Sequence, residues 1–226
     1  MEDYLKAIYE IERSAGPPVS TSAVAENLGV TPPTASSMLK KLAERDLVDR
    51  EEFAGVELSD MGEAVALEVI RHHRLLECFL ADHLDYDWAD VHDEADALEH
   101  HISEEFERRL AELLGDPVVD PHGDPIPGPD LEPLAADETT PLSDVETGVE
   151  LMVARVEDRA PEELRYLAEH GIEPGSEIEL RERTPLDTYV VVGDAGVVQL
   201  PESVAGTIRL KRVDGRTSSD AGEVSS

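Results

Sequence analysis

Cysteine occurs once among the 226 residues, so no disulfide within the chain can stabilise it. At this length the chain has room for two or three compact modules, each able to bury a core unaided. The lone Cys78 lies in the run Leu75-Leu76-Glu77-Cys78-Phe79-Leu80, where a small buried hydrophobe is expected rather than a reactive thiol or a metal ligand. No stretch approaches the roughly 18 apolar residues of a membrane span. A basic N-terminal segment followed by an apolar one is also missing, so the expectation is a cytoplasmic protein with no membrane partner. Basic residues are scarce too: 19 Lys and Arg stand against 52 Asp and Glu, a net charge of −33. By itself this argues against a nucleic-acid partner, whose usual footprint is a basic face.

Acid spread through every segment, few lysines and 4% aromatics resemble the composition of an extremely halophilic proteome. At molar salt the Debye length contracts to about 3 Å and long-range repulsion from DNA nearly vanishes. Local pattern therefore has to decide, and the first 62 residues carry one. Tyr4, Leu5, Ile8 and Ile11 have helical spacing, and Thr21 to Leu28 forms a short second helix stopped by Gly29. Thr31 then caps a third helix that tolerates Pro32 and Pro33 in its first turn and turns Ala35, Met38, Leu39 and Leu42 inward. Thr34, Ser36, Ser37, Lys40 and Lys41 are left outside. Alternating runs at Leu47-Val48-Asp49-Arg50 and Val56-Glu57-Leu58 flank Phe53-Ala54-Gly55 as a two-stranded wing. This order is that of a winged helix-turn-helix, although three small helices and a hairpin also build inert domains.

Two long helices are expected next, Gly62 to Leu84 and about Trp88 to Leu114, of lengths that suit a dimer interface (residues 63–115). Residues 116–147 are rich in proline and turn formers and read as an extended linker. Residues 148–214 carry short strand-like runs and one helix near Pro161 to His170, predicting a small β-barrel, and 215–226 read as a disordered tail. The expected class is α+β, in several domains.

The densest chemistry is Val91-His92-Asp93-Glu94-Ala95-Asp96-Ala97-Leu98-Glu99-His100-His101. On one continuous helix His92, Asp96, Glu99 and His100 share a face, a stripe of imidazoles and carboxylates that can chelate a divalent ion. His73 and Glu77, four apart on the preceding helix, supply a second pair, which suggests two ions. On so acidic a chain, such a stripe is equally readable as a solvated face.

Five motifs in order resemble the diphtheria toxin repressor family of iron- and manganese-dependent regulators: Glu2-Asp3-Tyr4-Leu5-Lys6-Ala7-Ile8-Tyr9-Glu10, Arg71-His72-His73-Arg74-Leu75-Leu76-Glu77, Val91-His92-Asp93-Glu94-Ala95, Glu99-His100 and Gly123-Asp124-Pro125-Ile126-Pro127-Gly128. The resemblance implies a winged-helix domain, a helical metal-binding dimerisation domain and a C-terminal SH3-like domain, a fold that makes the barrel above an SH3-like (FeoA-like) one. It implies a main metal site at Asp3, Asp96, Glu99 and His100, a neighbouring one at His73, Glu77 and His92, and a further ligand at Glu163, whose companion position falls on Ala160. Iron-selective members carry methionine and cysteine where Asp3 and Asp96 stand, so the resemblance points to Mn²⁺, with Fe²⁺ as the alternative; oxygen donors suit the harder ion. Lys6 departs from the manganese-selective pattern, which has glutamate there, and leaves His73 assignable to either subsite. DNA contacts by position fall on Pro33, Thr34, Ser36 and Ser37; Lys40, Lys41 and Arg50 are phosphate contacts suggested by charge and location. The expected function is a homodimeric, metal-dependent repressor of operator DNA that governs metal-ion uptake, with no small-molecule substrate. The competing classes are a metallohydrolase, which lacks a substrate-cradling motif here, and a DNA-binding protein indifferent to metal.

Overall fold

A computed structural model of the chain describes residues 1–51, 55–157 and 160–212. The chain divides into two compact units, Met1–Asp137 and the portion from Glu138 onward. In the first, helix α1 (Glu2–Ala15) turns Tyr4, Leu5, Ala7, Ile8 and Tyr9 inward. Helix α2 (Thr21–Asn27) is capped by the Ser20 hydroxyl, which accepts from the Ala23 N–H. Helix α3 (Pro32–Ala43) is capped by Thr31 and starts on prolines, whose missing N–H groups have no helical partner to lose. Strands β1 (Val48–Glu51) and β2 (Gly55–Leu58) pair antiparallel, Val48 opposite Leu58. This is the winged helix-turn-helix the sequence predicts; of the expected wing tip, Phe53 and Ala54 lie outside the described residues.

Leu5, Ile8, Leu39, Leu42 and Val56 join Ala66, Leu67 and Ile70 of helix α4 (Asp60–Leu84) in one core. The root of α4 is thereby built into the winged-helix domain. Gly62 makes that junction close, because a Cβ there would fall 1.9 Å from the Leu47 carbonyl oxygen. Farther along, Leu75, Leu76, Cys78 and Leu80 form a second core with Val91, Ala95, Leu110, Ala111 and Ile126.

The single rod expected from Trp88 to Leu114 is broken. Helix α5 (Val91–Leu98) passes into a 3₁₀ turn, Glu99–His101, and helix α6 (Glu104–Leu114) starts afresh. Ile102 is extended and Ser103 caps α6 by accepting from the Phe106 N–H, a local bond that competes with helix continuation. The proline-rich segment after α6 is extended, as its composition requires, but it is packed. The Arg71 and Arg74 guanidinium groups donate to the carbonyls of Pro127 and Pro125 at 2.6 and 2.5 Å. Leu131 and Leu134 lie against the winged-helix core.

The second unit corrects the sequence reading. Its strands β3 (Thr140–Pro141), β4 (Glu150–Val156), β5 (Glu177–Arg183), β6 (Thr188–Gly193), β7 (Gly196–Pro201) and β8 (Ile208–Arg212) form one antiparallel sheet in the order β3-β8-β4-β5-β6-β7. The sheet is open, not the closed SH3-like barrel expected. Closure requires the outermost strands to pair around the axis. Here β3 is two residues long, ends in a proline without an N–H, and among the described residues pairs with β8 alone. Bulges at Val153/Arg155 and Leu180/Glu182 bend the sheet, yet β3 and β7 remain its two edges. Helix α7 (Pro161–Glu169) follows β4, and the short α8 (Glu202–Ala205) precedes β8. The tail expected at 215–226 lies outside the described residues. Among those described, no helix is long and apolar enough to cross a membrane.

Candidate metal centre

The polar residues of α1, α4, α5 and the 3₁₀ turn converge inside the first unit. On α4, His73 and Glu77 sit one turn apart, and His73 Nε2 lies 2.9 Å from Glu77 Oε1 and 3.1 Å from Nδ1 of His92 on α5. These three groups form one donor set. Asp3 of α1 brings Oδ1 within 2.6 Å of His100 Nε2, itself 3.5 Å from Glu99 Oε1; this is a second set. The other oxygen of Glu99 points the opposite way, 2.6 Å from His73 Nδ1, and Asp96 Oδ1 approaches the same ring nitrogen at 3.2 Å. His73, Asp96 and Glu99 are thus a third set.

The anticipated stripe along one helix face is therefore divided. The break after Leu98 swings Glu99 and His100 toward α1, while His92 stays against α4. Glu77 and Glu99 are each 2% exposed, and bare carboxylates at that depth need compensating charge. Burial alone would depress His73, but the Glu77 charge and hydrogen bonds with Asp96, Glu77 and Glu99 outweigh it and raise its pKa well above the ordinary value. Burial likewise works against Glu77 ionising, yet the His73 charge and bonds from His122, His73 and His92 hold its carboxyl well below the usual range. Asp96 is also held low against burial, by His73 and Lys6.

Sequence reasoning missed a fourth set, Glu77 with Asp120 and His122, all buried. Both new residues come from Asp120-Pro121-His122-Gly123-Asp124, which composition marks only as turn-rich linker. Asp120 Oδ1 accepts from the backbone N–H groups of His122 and Asp124, and His122 Nδ1 lies 3.8 Å from Glu77 Oε1. Burial, reinforced by Glu77 and Asp124, pushes Asp120 up to about 7 despite Arg74. The available signal was an imidazole between two carboxylates at alternate positions. Cys78 joins none of these sets; burial, with Asp120 nearby, pushes its thiol up to about 12. Glu163 stands in the first turn of α7, in the second unit.

Imidazole nitrogens and carboxylate oxygens in groups of three fit a divalent cation of the Mn²⁺ or Fe²⁺ kind. His73 shows the orientation metal-binding histidines need, since one ring nitrogen faces a donor set while the other meets the Glu99 carboxylate. On α3, Pro33, Thr34, Ser37, Lys40 and Lys41 are exposed and Ser36 is half-buried, and Arg50 is exposed on β1. No acidic residue interrupts α3, and Lys40 and Lys41 fall in its last turn.

Residues 1–56 match the family description "iron dependent repressor, N-terminal DNA binding domain", 59–128 "iron dependent repressor, metal binding and dimerisation domain", and 140–212 "FeoA domain". The chain is 33% identical to the diphtheria toxin repressor of Corynebacterium efficiens over 95% of its own length and 96% of that protein. It is 36% identical over 116 residues to the iron-dependent repressor IdeR of Mycobacterium bovis, spanning 51% of this chain and 50% of that one. Among solved structures it resembles a manganese-dependent transcriptional repressor in complex with manganese (TM-score 0.86, 39% identity, 94% and 99% of the two chains). It also resembles the manganese regulator SloR (0.76, 36%, 94% and 98%).

Proposed function

We propose that this chain, which belongs to the diphtheria toxin repressor family, answers to Mn²⁺. It is a metal-dependent transcriptional repressor that binds DNA as a dimer, and it is not an enzyme. The observation that carries the choice of ion is the donor chemistry: the sets at α1, α4 and α5 contain nitrogen and oxygen and no sulfur, a combination that suits a hard divalent ion. Two ions per subunit are proposed, one at Asp3, Glu99 and His100 and one at His73, Glu77 and His92; Asp96, which the resemblance groups with Asp3, instead faces His73 and Lys6. The likeness to a repressor solved with manganese supports the choice of Mn²⁺. The second reading, Fe²⁺, is favoured by the 36% identity to an iron-dependent repressor over half the chain.

The mechanism is positional. Asp3 belongs to α1, which shares its core with the DNA-facing α3, whereas Glu99 and His100 belong to the metal-binding helices. A bound divalent ion supplies the positive charge that lets these like-charged carboxylates stand together. Asp3, Glu99 and His100 then hold the end of α1 against the 3₁₀ turn, and through Leu5, Ile8, Leu39 and Leu42 the orientation of α3 is held with it. In a two-fold dimer, two α3 helices fixed about one DNA turn apart, or a multiple of it, enter successive major grooves. Metal and DNA then favour each other reciprocally. On α3 and β1, Ser37 is proposed to read bases with Pro33, Thr34 and Ser36 beside it, while Lys40, Lys41 and Arg50 meet phosphates. We assign the acid-rich surface to a cytoplasm of high salt and the regulated genes to metal uptake.

The test is fluorescence anisotropy with duplexes from its own and metal-transporter promoters in high KCl, with Mn²⁺, reduced Fe²⁺, Zn²⁺ or chelator. Tightening by Mn²⁺ over Fe²⁺ is expected. Preference for Fe²⁺ would reverse the selectivity and keep the mechanism, whereas binding indifferent to every ion would remove it.

A further inference from the structure

The third donor set already has a cation within it. Lys6, one turn along α1 from Asp3, places its ammonium 3.1 Å from His73 Nδ1, 3.2 Å from Asp96 Oδ1 and 3.0 Å from Glu99 Oε2. His73 Nδ1 itself lies 3.2 Å from Asp96 Oδ1 and 2.6 Å from Glu99 Oε2. The flanking sets use other atoms: His73 Nε2 faces Glu77 and His92, and Glu99 Oε1 faces His100. Lys6 therefore does not compete for the atoms of its neighbours. It is largely buried, and its side chain reaches from the DNA-binding domain to the metal-binding helices.

We propose that Lys6 is a tethered counter-cation: its ammonium takes the place of a divalent ion among His73, Asp96 and Glu99, and it ties α1 to α5 and the 3₁₀ turn by a bond that needs no metal. The reading rests on the metal-sensing function above and deepens it, because it sets how many ions the centre takes and how much of the hinge is held without them. One tethered positive charge helps to compensate two carboxylates, the buried Glu99 and Asp96 beside it, that crowd the same point in a low-dielectric interior. A carboxylate in its place changes the local charge by two and adds an oxygen donor, turning a set satisfied by lysine into one that requires a divalent ion.

The experiment uses the full chain and two variants, Lys6→Met, which keeps the stem and deletes the charge, and Lys6→Glu. Bound Mn²⁺ is counted by mass spectrometry of metals after equilibrium dialysis, and thermal unfolding is followed in chelator and in Mn²⁺. In chelator, Lys6→Met is expected to unfold roughly 5–10 °C below wild type, as the loss of one partner of a buried ion pair requires. Lys6→Glu should fall at least as far, regain stability in Mn²⁺ and bind one more ion per chain than wild type. Equal ion counts in wild type and Lys6→Glu, or an unchanged unfolding temperature for Lys6→Met in chelator, would overturn the proposal. A wild-type chain that takes up no Mn²⁺ while Lys6→Met still loses stability would overturn the manganese reading instead, and leave Lys6 as the cation of its site.

Discussion

Asp3→Ala separates metal sensing from folding. The Asp3 side chain is 56% exposed and adds nothing to the core that Tyr4, Leu5 and Ile8 bury. A substitution at such a surface position changes stability by no more than about 0.5 kcal/mol. Its Oδ1 nevertheless lies 2.6 Å from His100 Nε2, within the donor set that joins α1 to the 3₁₀ turn. Losing a partner that merely orients a ligand costs about 10–100-fold in metal affinity, so losing a ligand itself should cost at least about 100-fold, or about 2.7 kcal/mol. At Mn²⁺ ten times the wild-type Kd, occupancy of this set would fall from about 90% to below about 10%. DNA affinity coupled to that set by 1–3 kcal/mol should then drop by at least about 3–9-fold, toward the value seen in chelator. The assay is anisotropy of a labelled operator duplex across a Mn²⁺ titration, with thermal unfolding in chelator as control. If Asp3→Ala keeps the full Mn²⁺ response, α1 is not clamped through this set and the positional mechanism is wrong.

On the exposed side of α3, Ser37→Ala should change the preference among operator bases, whereas Lys41→Ala should weaken all duplexes evenly and reduce the salt slope by about 1; a uniform loss from both would leave Ser37 no role in base reading. Cys78, with its thiol pushed up to about 12, should have roughly one part in 10⁴ as thiolate at pH 8 and resist iodoacetamide in the folded chain while reacting on denaturation; rapid labelling of the native protein would contradict its burial. On α6, Phe106 and Leu113, two turns apart and 46% and 60% exposed, form an apolar face suited to the dimer. Changing both to glutamate should shift sedimentation to the monomer and abolish operator binding, and an intact dimer would move the interface elsewhere.

The winged helix-turn-helix was legible because its signals are local: Ser20 and Thr31 cap their helices and Leu39 and Leu42 keep helical spacing. Five of the six strands of the second unit were legible for the same reason, since runs such as Tyr189 to Val192 are dense in β-branched and aromatic residues. Their closure was not, because whether β3 meets β7 depends on pairings between distant segments and on a two-residue edge strand with no periodicity to read. The break between α5 and α6 was hidden because Ser103 acts through one hydrogen bond inside an otherwise helical pattern. Asp120 and His122 were hidden by their neighbours, prolines and glycine, which report the backbone and say nothing of Glu77 beside them.

That break is also what gives the candidate centre its form. Had α5 run on as a regular helix, His92, Asp96, Glu99 and His100 would have stayed on one face as a strip of competing donors. The 3₁₀ turn places Glu99 between two partners, with Oε1 toward His100 and Oε2 toward His73 and Lys6. A single buried carboxylate thereby touches both α1, through Lys6, and α4, through His73. The charge that satisfies either oxygen alters the potential felt at the other, so occupation on the Asp3 side and on the His73 side cannot be energetically independent in a low-dielectric site. Coupling between the two donor sets therefore follows from the backbone at Glu99 before any ion is considered. A glutamine at that position, which keeps the shape and removes the charge, should leave the two sets titrating as separate weak sites in calorimetry with Mn²⁺. Retention of the wild-type isotherm by Glu99→Gln would show that the turn positions a bystander.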